Sequence, residues 1–152
     1  MTYPNIFTEE VTSSMIERIN KLTPETQGQW GKMNVSQMLA HCCVTYEYLY
    51  TDKYPRPKGL KKWLLKTFVK GIVTTDKPYK KSSPTAKDFI IVDARVFDEE
   101  KRRLISFLQK TQQLGEAHFD GQDSHSFGVL NKNEWNTMFY KHLDYHLGQF
   151  GA

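Results

Sequence analysis

Apolar residues recur at helical spacing through most of this chain, and no long segment alternates them with the period that a half-buried strand requires. Such a sequence buries its apolar stripes by packing helix on helix, so the expected fold class is all-α. Val11, Met15, Ile16, Ile19 and Leu22 predict a first helix from about Thr8 to Leu22, with Pro24 and Gly28 marking the break after it. Asn34, a favoured N-cap residue, opens a second, with a stripe of Val35, Met38, Leu39, Cys42, Tyr46 and Leu49 and with His41 at the edge of that stripe. Pro55 and Pro57 end it. The run GLKKWLLKTFVKGI predicts a third, basic helix. Its amphipathic pattern turns Leu60, Trp63, Leu64, Phe68 and Ile72 to the core and leaves Lys61, Lys62, Lys66 and Lys70 in solvent. An exposed Trp63 would instead mark a partner surface, most simply that of a homodimer. Residues 73–88 read as a long polar loop, and Phe89 to Val92 as extended chain lying on the helices. Acids after Asp98 and a glycine at 115 frame a fourth helix. After a second loop over 116–130, Asn131 and Glu134 form a capping box for the last helix.

A length of 152 residues predicts one domain, 1–152, able to fold without a disulfide staple. No stretch approaches the length of a membrane span, and the first residues lack the basic flank and apolar core of a signal peptide. The two cysteines, Cys42 and Cys43, are adjacent and imply no disulfide framework. The expected location is therefore cytoplasmic, with no membrane partner. Charge is uneven. Residues 53–81 hold ten Lys/Arg and one acid, Asp76, for +9, whereas the remaining eleven basic and sixteen acidic residues give −5. The segment reads as a solvated basic face or as a docking surface for an anion. No RNA-binding, zinc-finger or helix-turn-helix pattern accompanies it, so nucleic acid is not expected as a partner.

Chemistry concentrates in the last helix. Trp135, Met138, Phe139, Leu143 and Phe150 share one face, His142 and His146 point into its centre, and Asp144 points away. Burying a polar group without a partner costs roughly 2–7 kcal/mol. Two imidazoles one turn apart on a buried face are explained together if they bind one metal ion. The alternative is a pair of core histidines satisfied by carbonyls or tyrosine hydroxyls. A third ligand must come from elsewhere, and His41 is the best candidate because it sits beside a core stripe. His118 and His125, in a loop, are weaker. Leu143 stands where an HExxH motif carries its glutamate, which argues against a zincin protease. Cys42 and Cys43 read as core thiols, with a redox or ligand role beside His41 as the alternative. Tyr48, two turns after His41, is a candidate pocket wall.

The runs WGKMNVSQMLAHC (Trp30 to Cys42), HSFGVL (His125 to Leu130) and NEWNTMFYKHLDYHLGQFG (Asn133 to Gly151) resemble the DinB-like superfamily. Within it, they are most similar to an uncharacterised bacterial family of a domain of unknown function. The resemblance implies an up-down four-helix bundle with a long crossover and an additional short helix. It also implies a metal triad of His41, His142 and His146, with nickel or zinc as the divalent ion. Some relatives use the metal to activate a low-molecular-weight thiol for transfer or isomerisation. Ser126 departs from the proline that often follows the loop histidine, which bears on the loop and not on the triad.

The expected function is that of a metal-dependent enzyme acting on a small-molecule substrate. Its three-histidine site would activate a thiol or water, as in a thiol-dependent transferase or a hydrolase. The alternative is a non-catalytic metal-binding or interaction protein, since no residue stands out as a general base. A weaker third class is an anion-binding surface protein that uses the basic helix.

Overall fold

A computed structural model describes residues 3–152. It is mostly helical, and the one sheet among the described residues is a two-stranded hairpin. Four helices of at least 12 residues carry the core: α1 (Glu9–Asn20), α2 (Val35–Tyr50), α5 (Phe97–Phe119) and α6 (Lys132–Gln149). Short α3 (Gly59–Leu64) and α4 (Lys70–Thr74) lie in the connection between α2 and α5.

Local chemistry sets the helix starts. In α2, the Asn34 side chain accepts from Gln37 N, while the Gln37 side chain accepts from Asn34 N. The same reciprocal box joins Asn131 and Glu134 ahead of α6. Each box satisfies two backbone donors that a helix start otherwise leaves open. Thr8 caps α1, and Glu9 and Glu10 sit in its first turn, where they favour the helix dipole.

Helix α1 packs on α5 and α6, and α2 packs on the same two. Tyr46 from α2 lies parallel to Phe107 of α5 and Phe139 of α6, at ring separations of 5.7 and 5.3 Å. Trp135, Phe119 and Phe7 continue the aromatic core. Helix α2 is less one-sided than its sequence stripe: every residue from Leu39 to Val44 is buried. A second cluster explains this, because Ile91 covers Ala40 and Val44 from outside, with Phe89, Tyr48 and Tyr54 around it. His41 therefore lies between two packed layers rather than at a rim. Phe89 ends a short 3-10 turn over Lys87–Phe89 rather than starting extended chain; the residues after it are extended, with Ile91 packed and Ile90 and Val92 facing out.

Two regions depart from the sequence reading. Residues 116–130 are not all loop. Gly115 adopts φ +73°, which breaks α5, a further turn runs to Phe119, and β1 (Gln122–Ser124) then pairs antiparallel with β2 (Gly128–Leu130). Three-residue strands are too short to show alternation in sequence.

The basic helix is the larger correction. Leu60, Trp63, Leu64, Phe68 and Ile72 are exposed, at 71%, 56%, 43%, 63% and 55% of their surface. The adjacent face, with Leu65, Val69 and Val73, is the half-buried one. A π turn over Leu65–Val69 joins α3 to α4. Lys70 pairs with Glu134 of α6, which helps hold α4 there. Lys141 of α6 is also buried and donates to the carbonyls of Ile72, Thr75 and Lys77 at 2.5, 2.7 and 2.9 Å. One ammonium thus satisfies three acceptors where α4 ends, so the polar anchor decides which face turns inward.

Candidate metal centre

His41 projects from α2, and His142 and His146 project from α6 one turn apart. The structure brings these three together, with one ligand nitrogen from each within 4.8 Å of the others. Ring centroids are separated by 5.0 Å (His41–His142), 4.4 Å (His41–His146) and 4.8 Å (His142–His146). The Nε2 atoms of His41 and His142 stand 3.1 Å apart. Two nitrogens each about 2.1 Å from one ion are separated by about 3.0–3.4 Å, between octahedral and tetrahedral angles. The observed spacing falls in that range. His41 and His146 are buried, and His142 is half-buried as a residue.

The outer nitrogens fix how the rings present themselves. His41 Nδ1 lies 2.7 Å from the Phe89 carbonyl, which can only accept, so the proton sits on Nδ1 and Nε2 carries a lone pair. Gln149 Nε2 donates to Trp30 O at 2.7 Å, which orients the amide so that its Oε1 accepts from His146 Nδ1 at 2.9 Å. His146 Nε2 is thereby also left bare. His142 Nδ1 meets the Thr45 hydroxyl at 3.2 Å. At least two imidazoles thus turn unprotonated nitrogens inward, where His142 Nε2–H can donate to His41 Nε2 at 3.1 Å in the metal-free protein and where a cation would take that proton's place.

Electrostatics agree. Burial first, then the neighbouring histidines His146 and His41, hold His142 well below the ordinary imidazole range. Burial and His41 bring His146 down to about 3, against the Gln149 hydrogen bond. Burial lowers His41, opposed by its bond to the Phe89 carbonyl. Neutral imidazole is the form that ligates a metal.

The remaining sequence candidates fall outside this cluster. His125 stacks on Tyr48 at 3.7 Å and contacts Ser126 Oγ and Tyr54 O. Serine in place of the expected proline thus gives that histidine a hydroxyl partner. Tyr48 donates to Asp88, next to the Phe89 that holds His41. His118 borders a separate surface cavity of about 350 Å³, with Leu114 and Lys110. Cys42 and Cys43 are both buried, and burial pushes the Cys43 thiol up to about 12, so neither is a reactive thiolate. Asp144 pairs with Arg18 at 2.7 Å, away from the histidines.

Sequence reasoning missed the supports. Thr45 and Gln149 lie one turn beyond the ligand-bearing positions of their helices, a spacing that could have flagged them. Gly31 had no such signal. Its φ is +87°, and a Cβ there would come within 2.5 Å of Gln149 Nε2. The rim was missed as well. Tyr145 abuts His146 at 5.0 Å and carries the basic loop: its hydroxyl donates to Lys80 O, and it packs on Tyr79 and on Trp30, over which Lys81 sits at 4.2 Å.

The family model described as a protein of unknown function (DUF1569) matches residues 7–152 of the chain. No curated protein matches the chain, and no solved structure does.

Proposed function

The chain belongs to the DUF1569 family, and we propose that it is a metal-dependent enzyme of the DinB-like type in which His41, His142 and His146 hold one divalent ion. The observation that carries this reading is the convergence of three imidazoles whose outer nitrogens are tied to Phe89 O, Thr45 Oγ1 and Gln149 Oε1. In this reading residues 1–152 form a single up-down four-helix bundle domain, with the connection through α3 and α4 as its long crossover. Nickel and zinc both suit an all-imidazole donor set.

A divalent ion in this site supplies Lewis-acid charge that lowers the pKa of a nearby thiol or water and makes it nucleophilic at neutral pH. The chain's own groups do the rest. Phe89 O, Thr45 and Gln149 orient the rings. Phe89 and Tyr145 wall the site with aromatic surface against His142 and His146. In this reading Lys81, held over the Trp30 ring, is the cation for the carboxylates of a low-molecular-weight thiol, so the proposed activity is a thiol-dependent transferase. The cytoplasm supplies such thiols and is the proposed compartment.

A second reading, a non-catalytic metal site, is favoured by one observation. Cavities of about 350 and 360 Å³ lie at other places on the protein, and neither is lined by the triad. Two measurements decide. Protein purified without a metal-affinity step should contain about one equivalent of metal by elemental analysis. Alanine at His41, His142 or His146 should remove it, while alanine at His118 or His125 should not. Equal losses at all five histidines would refute the triad. In cobalt-substituted protein, a visible spectrum that shifts on adding cysteine indicates an open coordination position. A spectrum that stays unchanged favours the non-catalytic role.

A further inference from the structure

The exposed stripe on α3 and α4 remains outside any role at the histidine cluster. Leu60, Leu64, Phe68 and Ile72 are spaced four residues apart. The wider π turn over Leu65–Val69 keeps that spacing in line, where a regular α-helix would let it drift around the axis. Trp63 lies against Phe68 at 6.2 Å and broadens the strip. All five are exposed, and nothing among the described residues covers them.

Charge selects the partner. Residues 59–74 contain four lysines and no acid. Among the described residues, Lys58, Lys61, Lys62 and Lys66 have no carboxylate within ion-pair distance, whereas Lys53, Arg56 and Lys70 are neutralised by Glu47, Asp123 and Glu134. Two copies of this helix packed about a two-fold axis would bring like charges together, which disfavours a homodimer on this face. An anionic surface meets both requirements. A helix that presents Trp, Phe and Leu outward beside unpaired lysines lies in the headgroup region with its apolar strip in the acyl boundary. We propose that the Gly59–Thr74 segment docks the protein peripherally on an anionic lipid surface. Among the described residues no helix is long and apolar enough to cross a membrane, but lying on one requires no span. The proposal revises the sequence expectation of no membrane partner.

The test is co-sedimentation of the full chain with vesicles of phosphatidylcholine alone or of equal parts phosphatidylcholine and phosphatidylglycerol. Binding to the mixed vesicles should exceed binding to the neutral ones by about 10-fold or more at low salt, and should fall as salt rises. Trp63→Ser and Phe68→Ser should each weaken binding several-fold with unchanged circular dichroism, since both side chains are exposed in the folded chain. Brominated lipid should quench the fluorescence that is lost in Trp63→Phe. His142→Ala should bind as the parent does. Equal binding to both vesicle types, or binding indifferent to the two serine variants, would overturn the proposal. So would absence of binding alongside self-association that Phe68→Ser abolishes, or alongside saturable binding of an acidic protein to this face.

Discussion

Gly31→Ala should damage the metal centre without touching a ligand. Gly31 sits at φ +87°, and an alanine Cβ would fall 2.5 Å from Gln149 Nε2. Holding a non-glycine residue in that region costs about 1–2 kcal/mol. The clash is with the tip of a flexible side chain, so it is relieved by displacing the Gln149 amide. That displacement breaks the bond to Trp30 O and frees His146 Nδ1 from its acceptor. Losing these bonds adds about 1 kcal/mol, for a total of about 2–3 kcal/mol. In a chain of this length that corresponds to a fall in Tm of about 4–12 °C. Metal affinity should fall about 10-fold or more, because the ring loses the contact that sets its orientation and tautomer. The assay is urea unfolding of metal-free protein in chelator, paired with chelator-competition titration of the metal. Gln149→Leu should reproduce the affinity loss without the backbone strain. If Gly31→Ala matches the parent in both measurements, the amide bridge does not position His146 and the reasoning fails.

Three further outcomes are expected. The histidine values are depressed in the folded state, so the unfolded chain binds more protons as pH falls below about 6.5, and metal-free stability should decline by up to about 1.4 kcal/mol per pH unit for each histidine. For His146 the decline should continue toward pH 3, where its folded value lies. Unfolding curves between pH 7 and 4 check this, and a variant with all three histidines replaced should lose most of the slope. Arg103→Met should cost about 3 kcal/mol by denaturant titration, because the Arg103 guanidinium bridges the buried carboxylates of Glu47 and Glu100. An unchanged midpoint would show that Lys53 and Arg95 suffice. Lys141→Met should leave three carbonyls at the end of α4 without their donor and speed amide exchange across residues 70–81. Exchange unchanged there would mean that Lys141 does not anchor the segment.

What could be read from sequence was set within one or two turns of chain. Asn34 with Gln37 and Asn131 with Glu134 are local capping arrangements, and the structure begins α2 and α6 immediately after Asn34 and Asn131. His142 and His146 share a helix face because of their spacing, whatever packs against them. Hydrophobic spacing also implied that residues 59–72 are helical, but it could not say whether anything covers the apolar side. That depended on a buried lysine 64 residues or more along the chain from the carbonyls it binds, and on Lys70 reaching Glu134. His41 read as a stripe-edge residue because one helix in isolation has two faces. It became buried only when Ile91 and Phe89 folded over the second face. The approach of Gly31 to Gln149 and the seating of the basic loop on Tyr145 join residues more than 60 positions apart. Local propensity carries no record of such pairings, because they form only once the helices have packed.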